Sequence, residues 1–305
     1  MNPFVLTFAL LAAGSPEYGP QFWNHWGDGQ AEVAGYDLVY NRYGEVRTGV
    51  AVNVFVSETF SSSARVKADP GVHPKNDEYP VLKQNLVQDF PTGLYDYNLM
   101  TSAFLQLTPR HGRPAGTLTK ASFSAQEWCG HAYAQMLFDA DAVHLTSHSY
   151  FDREGDEKKS LPYPKDAISS EALMFWARGL AGPALRDGES VTVPFLPSLE
   201  RARLDHRPVA WSTVTLKRGT RKESVRVPAG NFEVLTHTAE VANGLVYTFR
   251  VEAEFPHRVV TWGSNRGDEA RLRGVKRMKY WQLSRPGGEK LLAEIGLKPR
   301  PALAP

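Results

Sequence analysis

Apolar and polar residues alternate with period two along much of this chain, and no other feature constrains its fold as strongly. In Gly49–Glu58, Val50, Val52, Val54 and Val56 fall on one face, with Asn53 and Ser57 on the other. Successive side chains of a strand point to opposite faces, so this pattern predicts a strand with one buried side. Upstream, Tyr36, Leu38 and Tyr40 alternate with Asp37 and Asn41. Gly44-Glu45 lies between the two runs, which together predict a hairpin. Leu99–Leu107, Thr117–Ser124, Cys129–Phe138, Val143–Tyr150, Val259–Trp262 and Arg271–Leu283 predict further strands. Asp69–Pro80 and Thr108–Gly116 read as connections rich in Pro and Gly, and the charged Asp152–Lys159 reads as a solvated turn. Asp89–Asn98, with Pro91, Gly93 and three aromatic rings, reads as a packed loop.

The strongest hairpin signal is Asn243-Gly244, because a type I′ turn needs positive φ at both central residues. A two-residue turn there pairs Ala242 with Leu245, Thr238 with Phe249 and Val234 with Ala253. That register puts Phe232, Val234, Thr236, Thr238, Leu245, Tyr247, Phe249, Val251 and Phe255 on one face. Glu233, His237, Arg250, Glu252 and Glu254 share the other. One helix is expected, over Asp166–Ala181. Leu173, Trp176, Ala177 and Leu180 form an apolar stripe, Asp166 or Ser169 caps its start, and Gly182-Pro183 ends it. The expected fold class is therefore mainly β: a large curved antiparallel sheet, barrel or half-barrel of lipocalin-like kind, with one α-helix near residues 166–181.

The 305 residues are 42% apolar, enough for a substantial core. Lys and Arg number 35 against 33 acids, a balance that argues against nucleic-acid binding. Phe4–Ala13 has the length of a signal-peptide apolar region and is too short to span a bilayer. Ala12 and Gly14 are spaced like a cleavage site, although no Lys or Arg precedes the run. The expectation is a signal peptide over 1–14, one β domain over 15–285 and a Pro-rich tail over 286–305. No lipobox cysteine follows the leader, and no other stretch is apolar enough to be transmembrane. Export to the periplasm or the exterior follows.

A resemblance points the same way. Ala31-Glu32, Tyr36-x-Leu38, Arg42-Tyr43-Gly44-Glu45, Gly49-x-Ala51, Phe55-Val56 and Val66-Lys67-Ala68-Asp69 resemble an uncharacterised family of bacterial exported proteins and lipoproteins. So do Pro80-Val81-Leu82-Lys83, Thr92-Gly93-x-Tyr95 and Gln126-Glu127-Trp128-Cys129-Gly130-His131. Some members carry the label "septum formation inhibitor". The nucleotide-pyrophosphatase family of that name opens with Ser-x-Ser-Pro-Arg-Arg, which has no counterpart here. The second half is similar to the domain-of-unknown-function family numbered 3108. That likeness rests on Asp166–Ala172 with Arg178, and on Val227-Pro228-Ala229-Gly230-Asn231-Phe232-Glu233-Val234. The resemblance implies a periplasmic curved sheet or barrel with one helix, and no assigned activity.

Gly-rich phosphate loops, nucleophile elbows and dinucleotide fingerprints are absent from the sequence, and no catalytic residue, metal ligand or cofactor is assigned. The most informative cluster surrounds Cys129, the chain's one cysteine. On a strand, Cys129, His131, Tyr133 and Gln135 share a side. A turn at Ala140-Asp141 would place His131 opposite Tyr150 and Tyr133 opposite His148, adding His144, Thr146, His148 and Tyr150 to that face. Cys129, His131, Tyr133, His144, His148 and Tyr150 are thus candidates to line a ligand cavity and orient a ligand's polar end. The plainer reading of each is structural packing. His144 and His148 would lie about 13 Å apart along a strand, too far to share one ion. Arg271, Arg273, Lys276, Arg277 and Lys279 make the late strand basic, which suits an edge protected by charge or a peripheral contact with the envelope. The leading expectation is a non-catalytic envelope-associated protein whose partner is a hydrophobic small molecule or lipid. An enzyme using Cys129 and His131 and a structural module using a sheet edge are the alternatives.

Overall fold

The computed structural model describes residues 15–299; the expected leader lies outside them, as do the last residues of the expected tail. The chain runs through α1 (Pro20–Trp26), β1 (Ala31–Arg42), β2 (Glu45–Ser61), β3 (Glu78–Pro91), β4 (Asp96–Gln106), β5 (Leu118–Glu127), β6 (Gly130–Phe138), β7 (Ala142–Ser149) and β8 (Glu157–Pro162). It continues through β9 (Ile168–Ser169), α2 (Leu173–Ala177), β10 (Ser190–Leu196), α3 (Leu199–Leu204), β11 (Ser212–Lys217), β12 (Lys222–Val227), β13 (Gly230–Val241), β14 (Val246–Glu252), β15 (Val259–Ser264) and β16 (Glu269–Met278). All the strands belong to one sheet. Its order runs from β8 down to β1, then β16, β15, β14, β13, β11, β10 and β9, with β12 also paired to β13. The first and last strands therefore meet in mid-sheet. Every pair is antiparallel except the short β9–β10 contact.

This is the mainly β, curved antiparallel architecture expected, and the sheet does not close: β8 and β9 are free edges. Tyr163, just past β8, nevertheless stacks on Trp211, just before β11, with ring centroids 5.9 Å apart. The sheet curls until its two wings touch. The three helices fill the inner face, where Phe22 and Trp26 of α1, all of α2, and Leu199 and Leu204 of α3 join one cluster with the inward residues of both wings.

The expected helix is shorter than its apolar stripe. Asp166 has a left-handed backbone, Ile168–Ser169 pairs as a strand, and Ser170–Ala172 is a 3-10 turn that Ser169 caps. Only Leu173–Ala177 is α-helical, and all five residues are buried. A segment buried all round needs no polar face, so the stripe overstated the length. Two further helices carried weaker signals. Pro20 starts α1, and the Ser198 Oγ accepts from the Arg201 N–H at 3.0 Å to cap α3.

Three strand expectations change. The valines of β2 do not face the main core: Ala51, Asn53 and Phe55 do, while Val54 and Val56 point outward and Val50 is exposed. That outer stripe is covered by the C-terminal segment, whose 3-10 helix Gly288–Ile295 delivers Ile295 and Leu297 onto Ala31, Val33, Val54 and Val56. The approach is close because Gly35 and Gly274 face each other across the β1–β16 seam. A Cβ on Gly35 would lie 2.3 Å from the Ile295 carbonyl oxygen. Second, the Asn243-Gly244 hairpin closes through three residues, with Val241 paired to Leu245 and the Gly244 backbone at φ 83°. A type I turn followed by a left-handed residue gives this loop. The slip of one places His237, not Thr238, opposite Phe249. His237 is buried, Thr236 and Thr238 turn away, and Phe249 and Val251 still face inward as expected. Third, Asp89–Asn98 is not a loop but the end of β3 and the start of β4, joined by a short turn. The basic β16 is no edge strand either. It lies between β1 and β15, and Arg273, Arg277 and Lys276 pair with Asp37, Asp28 and Glu294.

Candidate ligand cavity beneath the third helix

Between the inner face of β5–β7 and α3 lies a cavity of about 380 Å³. Phe123, Ala132, Ala134 and Leu145 form its floor, and Leu199, Ala202 and Val209 its roof. These positions follow from period two: Ala132, Met136 and Phe138 of β6 and Val143 and Leu145 of β7 point inward. The small Ala132 and Ala134 leave the space that larger residues fill elsewhere. Residues 153–157 of the β7–β8 connection and His206 form the mouth.

Ser147 and Ser149 add hydroxyls to the floor, and among the charged residues of the lining Arg203 is the buried one. Arg203, on α3, has a side chain 8% exposed, and its guanidinium lies 3.6 Å from the Phe151 ring centroid. Its Nε and Nη1 have no hydrogen-bond partner. The nearest carboxylates, Glu154 and Glu127, stand 3.7 and 3.9 Å away, in ion-pair range but beyond a hydrogen bond. Glu154 also contacts His206. Buried donors are nearly always paired, so two guanidinium nitrogens that are buried without a partner are an exception at the edge of this cavity.

The opposite side of α3 borders a second, smaller space of about 130 Å³, in which the polar groups satisfy one another. Glu200 accepts from the Tyr40 hydroxyl at 2.5 Å and from the Gln88 amide at 3.1 Å. Glu171 accepts from the Leu199 N–H at 2.8 Å and from the Ser169 hydroxyl. Burial pushes the pKa of both carboxyls above the ordinary range, partly offset at Glu200 by Arg201 and at Glu171 by Ser169.

The residues singled out from sequence lie elsewhere. The expected β6–β7 register holds, with Tyr133 opposite His148 and the Tyr150 N–H bonded to the His131 carbonyl. The shared face, however, is the outer one: His131, Tyr133, His144, His148 and Tyr150 are all exposed. Tyr133 and His148 reach the cavity's rim, whereas Cys129, His131, His144 and Tyr150 do not line it. His148 pairs with Asp156 at 3.0 Å and His144 with Asp139 at 3.2 Å. Cys129 is exposed in the β5–β6 turn, and no hydrogen bond joins it to His131 among the described residues. No cluster of three or more metal-ligating side chains occurs among the described residues. Arg203, Glu127 and Leu199 were missed. For Leu199 and Arg203 the signal was a capping Ser198 followed by both at helical spacing, bracketed by Pro197 and Pro208; Glu127, at the end of β5, carried none.

Comparison with protein-family models, curated proteins and solved structures finds nothing that matches this chain.

Proposed function

We propose that this is a non-catalytic, envelope-associated protein that binds a small amphipathic ligand in the cavity beneath α3. The observation that carries the reading is a buried Arg203 with two unpartnered nitrogens, set at the edge of a cavity whose apolar wall is Phe123, Ala132, Ala134, Leu145, Leu199 and Val209. Ligand sites are concave, mostly apolar and furnished with a few converging polar groups. At the ~30 Å³ that a water occupies in the liquid, this volume admits roughly a dozen non-hydrogen atoms, and the open mouth lets the end of a longer acyl chain project. Local charge selects the head group. Glu127 and Glu154 already flank Arg203, so a second anion would meet two carboxylates. A neutral acceptor, such as an ester or amide carbonyl, can approach the guanidinium without that repulsion. The envelope setting is proposed from the signal-peptide-like run Phe4–Ala13 and the sequence resemblance to exported proteins.

Calorimetric titration with monodecanoylglycerol tests it. Saturable one-to-one binding is expected. Ala202→Trp, which fills the space from the roof, should abolish it, and Arg203→Lys should weaken it about tenfold, because Lys lacks the planar fork of donors. Decanoate should bind more weakly than the ester. No binding of either probe, or binding that Ala202→Trp leaves intact, sinks the reading.

A further inference from the structure

The turns that join β1 to β2, β3 to β4, β5 to β6 and β7 to β8 all lie at one end of the sheet, because every second turn of an antiparallel meander returns to the same end. Each carries an outward-projecting aromatic or aliphatic side chain: Tyr43, Leu94, Trp128 and Tyr150. Leu94 is 81%, Tyr150 72% and Trp128 71% exposed. Of the six most exposed large hydrophobic side chains among the described residues, five lie at this end, the four above and Val46; the sixth is Val72.

The four tips form a connected ridge. The Tyr43 and Tyr97 hydroxyls meet at 2.6 Å, Tyr97 packs on Tyr95 at 6.0 Å, and Tyr95 stacks on Trp128 at 5.8 Å. The Tyr150 ring lies against Gly130, where a Cβ would come within 2.4 Å of it. Successive tips stand two strands apart, about 10 Å, so the ridge is a row of prongs rather than a flat patch. Two features of the ridge identify its partner. Prongs that end in Trp, Tyr and Leu suit a deformable apolar medium with a wet boundary, where indole and phenol rings settle at headgroup level. Charge is paired at the β1–β2 tip, with Arg47 beside Glu45, and leans acidic at the β7–β8 tip, where Asp152, Glu154, Asp156 and Glu157 outnumber Arg153, so no polyanion is favoured.

We infer that this end of the sheet docks on a lipid bilayer surface by shallow insertion of the hairpin tips, with little dependence on lipid charge. The inference does not rest on the α3 cavity, although the β7–β8 tip also forms part of that cavity's mouth. Among the described residues no helix is long and apolar enough to cross a membrane, and shallow insertion needs none.

Sedimentation of the full chain with phosphatidylcholine vesicles, and with equal parts phosphatidylcholine and phosphatidylglycerol, provides the test. Binding to both is expected, with a blue shift of Trp emission and little loss at high salt. The double variant Leu94→Asp/Trp128→Asp changes only exposed turn positions and should lose about tenfold or more in partitioning. Val72→Asp, equally exposed but in the β2–β3 connection at the other end, should bind as the parent does. The inference is overturned if the parent ignores both vesicles, or if the double variant binds undiminished. It is also overturned if binding needs phosphatidylglycerol and vanishes with salt, or if the ridge instead drives self-association that the double variant abolishes.

Discussion

Two arginines are buried on the inner face of this sheet, and they are held in opposite ways. Arg178 follows α2 and reaches Glu32 on β1 through both terminal nitrogens, at 2.7 and 3.1 Å. It donates again to the Pro256 carbonyl at 3.1 Å and lies over the Trp26 and Phe55 rings, leaving Nε alone unpaired. Arg203 follows a similar path off α3, yet its nearest carboxylates stay beyond hydrogen-bond distance and two of its nitrogens are free. Both regions have aromatic walls and both carry buried acids. The difference teaches that burial alone does not mark a working site here. Arg178 uses its donors to join α2 to the β1–β16 seam, where the two halves of the sheet meet, whereas Arg203 leaves two buried nitrogens unpaired where α3 borders the cavity.

The same substitution at both positions is the strongest attempt to break that contrast. Arg178→Lys keeps the charge but loses the fork to Glu32 and the bond to Pro256. Charge-assisted bonds of this kind are worth ~1.5–3 kcal/mol each, so a loss of about 3 kcal/mol in urea unfolding is expected. A cost below about 1 kcal/mol would show that Arg178 is no more committed than Arg203.

The acids on either side sharpen the contrast through pH. Burial pushes Glu32 up, but Arg178 and then His25 outweigh it and hold the carboxyl at about 2. A depressed acid contributes its stability above the unfolded value, and that contribution is lost as pH falls from about 4.5 toward 2. Glu200 and Glu171 run the other way. Their raised carboxyls contribute fully below about pH 4.5, and the contribution is lost as pH rises through their folded values. His237, held neutral by burial and then by Arg218 with a pKa of about 3, adds a loss as pH falls below about 6.5. Glu200→Gln should therefore change its standing with pH. Its unfolding free energy relative to the parent should climb as pH rises above about 4.5 and level off above the folded value of the parent's carboxyl. Chemical denaturation across that range gives the answer, and a pH-independent difference would mean that Glu200 is already ionised in the folded chain.

How far the sequence revealed these sites depends on which interaction set each position. Period two and turn residues are local, so the hairpins at Gly44 and at Ala140-Asp141 could be read directly, the second to the exact residue pairing. Local pattern does not say which side of a sheet is the inner one. Val54 and Val56 of β2 are buried on the outside because Gly35 and Gly274 admit a C-terminal segment some twenty residues past β16. By the same ambiguity the His and Tyr residues of β6 and β7 were placed correctly against one another and on the wrong face for an inner cavity. The cavity itself is formed by α3, a six-residue helix held by tertiary contacts, and single-helix periodicity is weakest at that length. Glu32 and Arg178 both belong to the segments that carry the family resemblance, yet only the fold shows that they meet.

The smallest expected effect is the most discriminating. Arg203→Lys removes no formed hydrogen bond, retains a cation near Glu127 and Glu154, and relieves two buried nitrogens that now lack partners. The cost of the lost Phe151 stacking and the gain from that relief are each of order 1 kcal/mol and of opposite sign. Stability without ligand should thus stay within about 1 kcal/mol of the parent. The contrast appears on adding monodecanoylglycerol: the parent's midpoint should rise with ligand concentration, as linkage requires, and the variant's should rise less at every concentration. If the unliganded variant instead loses as much as Arg178→Lys, the open nitrogens of Arg203 find partners within the chain in solution. The cavity beneath α3 is then one more piece of the core.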